Sequence, residues 1–163
     1  MHRILAVAAM VVVLGGPAVR AADDTLARGA YLAKIMDCGG CHTPGVFLGK
    51  PDMDRYLGGS EVGFMIPGLG IFYPANLTPD EATGLGTWSA EDIARALHTG
   101  IRPDGRELAP AMPWRSYAAL TDEDAMALAA YLKSLPKVSN PEPEMVGPDG
   151  KASSPYLTVV APN

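Results

Sequence analysis

Apolar positions recur at helical spacing in three parts of the chain. Leu26, Ala30 and Ala33, with Leu32, predict a helix over about residues 25–36. Asp23 and Asp24 precede it as caps, and Asp37-Cys38-Gly39-Gly40 ends it with two glycines. Ile93, Ala94, Leu97 and Ile101 predict a second helix. It opens at Ser89-Ala90-Glu91-Asp92, a capping-box pattern with Asp in the last place, and closes at Gly100. Ala125, Leu128, Ala129, Leu132 and Leu135 predict a third, which Thr121 caps and Pro136 terminates. Residues 43–80 hold seven glycines and five prolines and read as extended loop. A loop that long inside a compact domain needs something to wrap around. A Pro-rich turn covers residues 103–113, and a Pro-rich tail over residues 137–163 is expected along the surface. The pattern shows no internal repeat and no β-alternation, and Val159-Val160 is too short for a strand.

A different pattern occupies the N-terminus. His2 and Arg3 precede an unbroken apolar run of eleven residues, Ile4 to Leu14, which Gly15, Gly16 and Pro17 break. The run is shorter than the roughly 20 apolar residues a membrane span needs, and Val19 and Ala21 are small. Residues 1–21 are therefore expected to be a secretory signal peptide cut after Ala21, with no stable membrane span remaining. With no cysteine near the cut, a lipid anchor is not expected there.

Composition narrows the class. The 163 residues are 48% hydrophobic and 19% charged, enough for one globular domain. Losing Arg3 and Arg20 with the leader takes the net charge from −5 to −7. An acidic chain is a poor nucleic-acid binder, so no nucleic-acid partner is expected.

Cys38-Gly39-Gly40-Cys41-His42 carries the chemistry. It is C-x-x-C-H, the attachment signature of c-type haem. Two thiols add to the two haem vinyl groups as thioethers, the two-residue spacer sets their separation, and the following imidazole ligates iron. Cys38 and Cys41 are the only cysteines, so one covalent haem c is expected. A redox disulfide would call for a βαβ unit that the pattern lacks. A zinc site would need His98 to converge with Cys38, Cys41 and His42 from a distant helix. A ligating imidazole needs a partner for its other nitrogen. The Gly/Pro loop is the expected source, with the Pro67 carbonyl as the candidate.

A soft thioether on the opposite face suits electron transfer. Met36 is too close to the attachment site, Met126 lies inside the third helix and Met145 in the tail. Met53 and Met65, in the long loop, remain open. Met112 sits in Pro110-Ala111-Met112-Pro113-Trp114, where two prolines reduce the entropy of presenting the sulfur. His98 is the competing ligand, which would give bis-histidine iron.

The chain resembles class I cytochromes c. Within them it is similar to the monohaem cytochromes associated with periplasmic dehydrogenases. The resembling segments are Arg28 to Leu32, Cys38 to Thr43, Asn76 to Asp80, Thr83 to Ser89, Pro110 to Tyr117 and Asp124 to Pro136. The resemblance implies an all-α cytochrome c fold over residues 22–136, with short helices and long loops wrapping the haem. It implies Met112 as the distal ligand and places Asn76 and Trp88 near the haem. The sequence shows no nucleophile–base arrangement, no phosphate loop and no second haem motif. The expected protein is an electron carrier, or an electron-transfer subunit, in the periplasm. A dehydrogenase would be its donor and a cytochrome or oxidase its acceptor. The alternative is a haem enzyme acting on peroxide or a sulfur compound at an open iron site.

Overall fold

The computed structural model describes residues 17–162, so most of the expected signal segment, residues 1–16, lies outside the described residues. Five helices carry the fold: α1 Pro17–Ile35, α2 Cys38–His42, α3 Ala90–Thr99, α4 Trp114–Tyr117 and α5 Asp122–Ser134. Three short strands join them: β1 Gly63–Ile66, β2 Gly70–Phe72 and β3 Tyr156–Leu157.

The α1 helix starts earlier than the pattern predicted. No breaker separates Pro17 from Thr25, so Asp23 and Asp24 lie inside the helix and do not cap it. The two other main helices begin where their caps stand. Ser89 and Asp92 form a reciprocal capping box at the start of α3, and the Thr121 hydroxyl accepts from the Asp124 amide at the start of α5. Leu135, forced extended by Pro136, ends α5.

The core lies where α1, α3 and α5 meet: Leu32, Ala33, Leu57, Leu85, Ile93, Leu97, Leu128, Ala129 and Leu132. At the α1–α5 crossing, Gly29 is buried with Ala127 and Tyr131 of α5 directly against it. Arg28, one residue earlier, closes the rim with a bidentate pair to Asp124 at 2.7 and 2.8 Å.

The loop expected over residues 43–80 is more structured than its composition implied. Short 3₁₀ turns form at Val46–Leu48 and Met53–Arg55. β1 and β2 pair antiparallel, with Phe64 opposite Phe72 and Ile66 opposite Gly70. The tail adds β3 parallel to β1, giving the order β2-β1-β3. The expectation of no strand is corrected here. Phe64, Met65 and Ile66 are consecutive apolar residues, so the period-2 signal is absent although Gly68, at φ 75°, makes the hairpin turn. The tail also does more than lie on the surface. Val146 bridges Ile71, and Tyr73 Oη donates to the Ser154 carbonyl at 3.0 Å. No described helix is long and apolar enough to cross a membrane.

Candidate haem site

The glycines of Cys38-Gly39-Gly40-Cys41-His42 do not stop a helix; they form part of one. The break falls at Asp37, whose φ of 54° turns the chain between α1 and α2. Small residues suit the turn: a Cβ on Gly39 would stand 2.7 Å from the Tyr56 ring and one on Gly40 would meet the Asp37 carboxylate, so a larger residue at either place makes that side chain move. One helical turn therefore carries both thiols and the imidazole.

His42 is oriented by the loop that follows. Its Nδ1 donates to the Ala75 carbonyl at 2.7 Å, which leaves Nε2 for a ligand. The partner is a backbone carbonyl of the Gly/Pro loop, as expected, but not that of Pro67. Pro67 lies exposed in the β1–β2 turn. Burial lowers the imidazole pKa, keeping it neutral as a metal ligand must be, while the Ala75 contact opposes that shift. The His42 carbonyl accepts from Gly59, so both ends of the residue are held. Leu57, fully buried at φ 61°, shapes the approach to Gly59. Among the described residues, Asp37 and Leu57 are the non-glycine positions at positive φ, and both serve this helix.

Burial governs the acidity of the two thiols. Burial pushes Cys38 up to about 11 and also raises Cys41, with the Asp37 charge adding to both. A redox C-x-x-C motif needs the opposite shift. Both cysteines are free. Among the described residues no group of three or more His, Cys, Asp or Glu side chains is placed to hold a metal ion. His98 lies on α3 with Nδ1 3.7 Å from Asp122 Oδ1 on α5.

Met112 and Cys38 pack against the same core cluster, as do Met36, Leu77, Trp88 and Tyr117. The Met112 loop is tight: its amide donates to Ala109 O at 2.9 Å and its carbonyl accepts from Trp114 N at 2.8 Å. Tyr117, on α4 just beyond, donates to the Met36 carbonyl at 3.2 Å. Burial, with the two cysteines as lesser contributors, pushes its phenol up to about 12. The Met112 loop and the cysteine turn are thus tied together through α4. Met53 is 63% exposed, though it reaches a cavity beside Gly39, Gly40 and Tyr56; Met145 is exposed, and Met65 is half-buried on β1.

Asn76 and Trp88 hold structure together. Asn76 is 1% exposed; its Nδ2 donates to Thr83 Oγ1 and the Val138 carbonyl, and its Oδ1 accepts from the Thr78 amide and hydroxyl. It follows Ala75 directly and so fixes the carbonyl that faces His42. The Trp88 carbonyl is bound by Lys133 Nζ, which also binds Leu85 and Gly86 carbonyls at 3.1 and 2.9 Å. Lys133, Tyr117, Ala75 and Leu57 carry no sequence signal for these roles.

A haem also requires apolar walls and partners for its two carboxylates. Met36, Leu77, Trp88 and Tyr117 supply the first. Among the described residues three buried side-chain nitrogens lack a hydrogen-bond partner: His98 Nε2, Arg102 Nε and Trp114 Nε1. The last two are N–H donors, and both flank the loop that carries Met112. Asp104 lies 3.4 Å from Arg102 Nε, within ion-pair range but outside hydrogen-bond geometry. The donor set fits the group.

Comparison with known proteins agrees. The family model for cytochrome c matches residues 26–136. The cytochrome c subunit of a quinone alcohol dehydrogenase from Gluconobacter oxydans (strain 621H) is 39% identical over 77% of this chain and 25% of its own length. The gluconate 2-dehydrogenase cytochrome c subunit of Pantoea cypripedii is 41% identical over 69% of this chain and 23% of its own. The fructose dehydrogenase cytochrome subunit of Gluconobacter japonicus is 39% identical over 74% and 23%. The chain spans about a quarter of the length of these relatives. The C-x-x-C-H turn, its enclosed imidazole and the matched span have one reading: the chain belongs to the cytochrome c family, electron-transfer proteins that bind haem c covalently.

Proposed function

We propose that Cys38 and Cys41 hold a single haem c and that His42 Nε2 and Met112 Sδ are its axial ligands. The protein carries single electrons in the periplasm, from a dehydrogenase to a downstream cytochrome or oxidase. The observation that carries the reading is the α2 turn, which presents both thiols and an imidazole already oriented by Ala75 at 2.7 Å. The relatives named above are cytochrome subunits of alcohol, gluconate and fructose dehydrogenases, which favours a dehydrogenase as donor.

The bound haem supplies a one-electron couple. The chain's part is to make that couple change shape as little as possible. His42 is fixed at its carbonyl by Gly59 and at its ring by Ala75. Pro110 and Pro113 bracket Met112, and its backbone is hydrogen-bonded on both sides. A neutral thioether favours reduced iron and raises the potential. The buried core around Leu32 and Leu128 excludes water from one side.

The test is to purify the protein from the periplasmic fraction with its native partners and mix it with the co-purifying dehydrogenase and that enzyme's substrate. The expected result is substrate-dependent reduction of a low-spin, six-coordinate haem, one electron per chain. High-spin iron that binds carbon monoxide readily and turns over peroxide would overturn the carrier reading.

A further inference from the structure

The tail after residue 136 lies beyond the span matched by the family model, yet its first residues close over the loop that orients His42. The Val138 carbonyl accepts from Asn76 Nδ2 at 2.7 Å, and the Val138 amide donates to Thr78 Oγ1 at 3.1 Å. The Asn140 amide donates to Thr83 Oγ1 at 3.1 Å, the same hydroxyl that accepts from Asn76. Asn140 Nδ2 donates to the Gly58 carbonyl at 2.7 Å, and its Oδ1 accepts from Arg55 at 3.1 Å. Gly58 in turn bridges Asn76, and Gly59 holds the His42 carbonyl at 2.9 Å. The fit is close: a Cβ on Gly58 would stand 2.9 Å from Val138 Cγ1.

These contacts converge on two places. One is the Ala75–Asn76 peptide, whose carbonyl accepts from His42 Nδ1. The other is Gly58–Gly59, which holds the His42 backbone. We propose that Val138–Asn140 is a strap that positions the proximal imidazole, with Asn140 as its positioning residue. The strap does not touch the ring; it acts through the Ala75 carbonyl, by way of Val138 on Asn76, and through Gly58–Gly59, by way of Asn140. The proposal rests on His42 being the iron ligand.

The physical consequence follows from how an outer hydrogen bond tunes a ligating imidazole. A short, fixed Nδ1–H···O=C bond makes the ring a stronger donor to the metal, and that favours the oxidised state. Releasing the strap lets the Ala75–Asn76 peptide rock. The bond lengthens on average, the imidazole becomes a weaker donor, and the reduction potential rises. The Nδ1 proton also meets water more often.

The experiment uses the full-length, haem-loaded protein and compares wild type with Asn140→Ala, Asn140→Asp and Tyr156→Ala. Asn140→Asp keeps the acceptor for Arg55 but loses the donor to Gly58. Tyr156→Ala alters the exposed tail strand away from the strap. Two readouts are taken: the midpoint potential, and exchange of the His42 Nδ1 proton with deuterium, followed by NMR in the reduced state. Both Asn140 variants should raise the potential and speed exchange at least tenfold, while Tyr156→Ala should match wild type. If the Asn140 variants only lower the melting temperature, with potential and exchange unchanged, the strap merely supports the fold and the proposal fails. If Tyr156→Ala moves both readouts equally, the effect belongs to the whole tail and the proposal also fails. A wild type without low-spin, His42-ligated iron would instead sink the site assignment beneath it.

Discussion

Gly29→Ala tests the helix crossing on which the site is built. A Cβ at position 29 would stand 2.6 Å from Tyr131 Cβ and 2.8 Å from the Ala127 carbonyl carbon, with the Ala127 oxygen nearer still. Carbon atoms pack at about 3.5–4.0 Å, so relief demands a shift of roughly 1 Å. The obstacle is mostly the backbone of α5, which cannot rotate away as a side-chain tip can. Overpacking costs about 1–3 kcal/mol, and rigid neighbours place this site near 3. Replacing Gly by Ala inside a helix returns about 1 kcal/mol. The expected net loss is about 2 kcal/mol, or roughly 6–10 °C in melting temperature for a domain of this size. The assay is thermal unfolding by far-ultraviolet circular dichroism on haem-loaded wild type and variant at one pH. A variant melting at or above wild type would refute the crossing geometry, because helix propensity alone would then govern the outcome.

Lys133→Met leaves the Leu85, Gly86 and Trp88 carbonyls without their shared donor. It should lower stability by about 1–3 kcal/mol and change the near-ultraviolet dichroism of tryptophan; an unchanged denaturant midpoint would contradict the assignment. Glu142→Gln addresses pH. Burial raises the Glu142 carboxyl above its ordinary value of 4.5, opposed by its own backbone, the Asn76 amide and Arg102. The folded chain therefore holds more protons than the unfolded one between 4.5 and that raised value, and stability falls as pH rises through this window. The variant should lose that slope in denaturant midpoints measured across it, and an unaltered slope would refute the desolvation argument.

What the sequence disclosed depended on how local each feature is. Ser89 and Thr121 mark the starts of α3 and α5 because a cap is decided within four residues. C-x-x-C-H is legible because two thioethers and an iron ligand tolerate one spacing. Arg28-Gly29-Ala30-Tyr31 stood out as a resemblance, and the structure supplies its reason, a backbone approach at Gly29 and an ion pair at Arg28. Features that depend on distant chain were hidden. Ala75 has no side-chain function to announce that its carbonyl faces His42 across 33 residues. Lys133 looks like any polar position on an amphipathic helix until three carbonyls meet it. The small sheet was missed because its apolar residues are consecutive, and because β3 comes from a tail whose prolines read as irregular.

The proposed ligand set puts one iron between His42 and Met112 on a covalent haem. It is tested most directly by the methionine-to-iron charge-transfer band of the oxidised protein, recorded for wild type and Met112→Ala alongside the haem content of each. The expected result is the band in wild type and its loss in Met112→Ala, with the haem still attached through Cys38 and Cys41 and the iron open to small ligands. A band that survives in Met112→Ala would pass the sulfur to Met53 or Met65, and a wild type without the band would contradict the methionine-ligated carrier altogether.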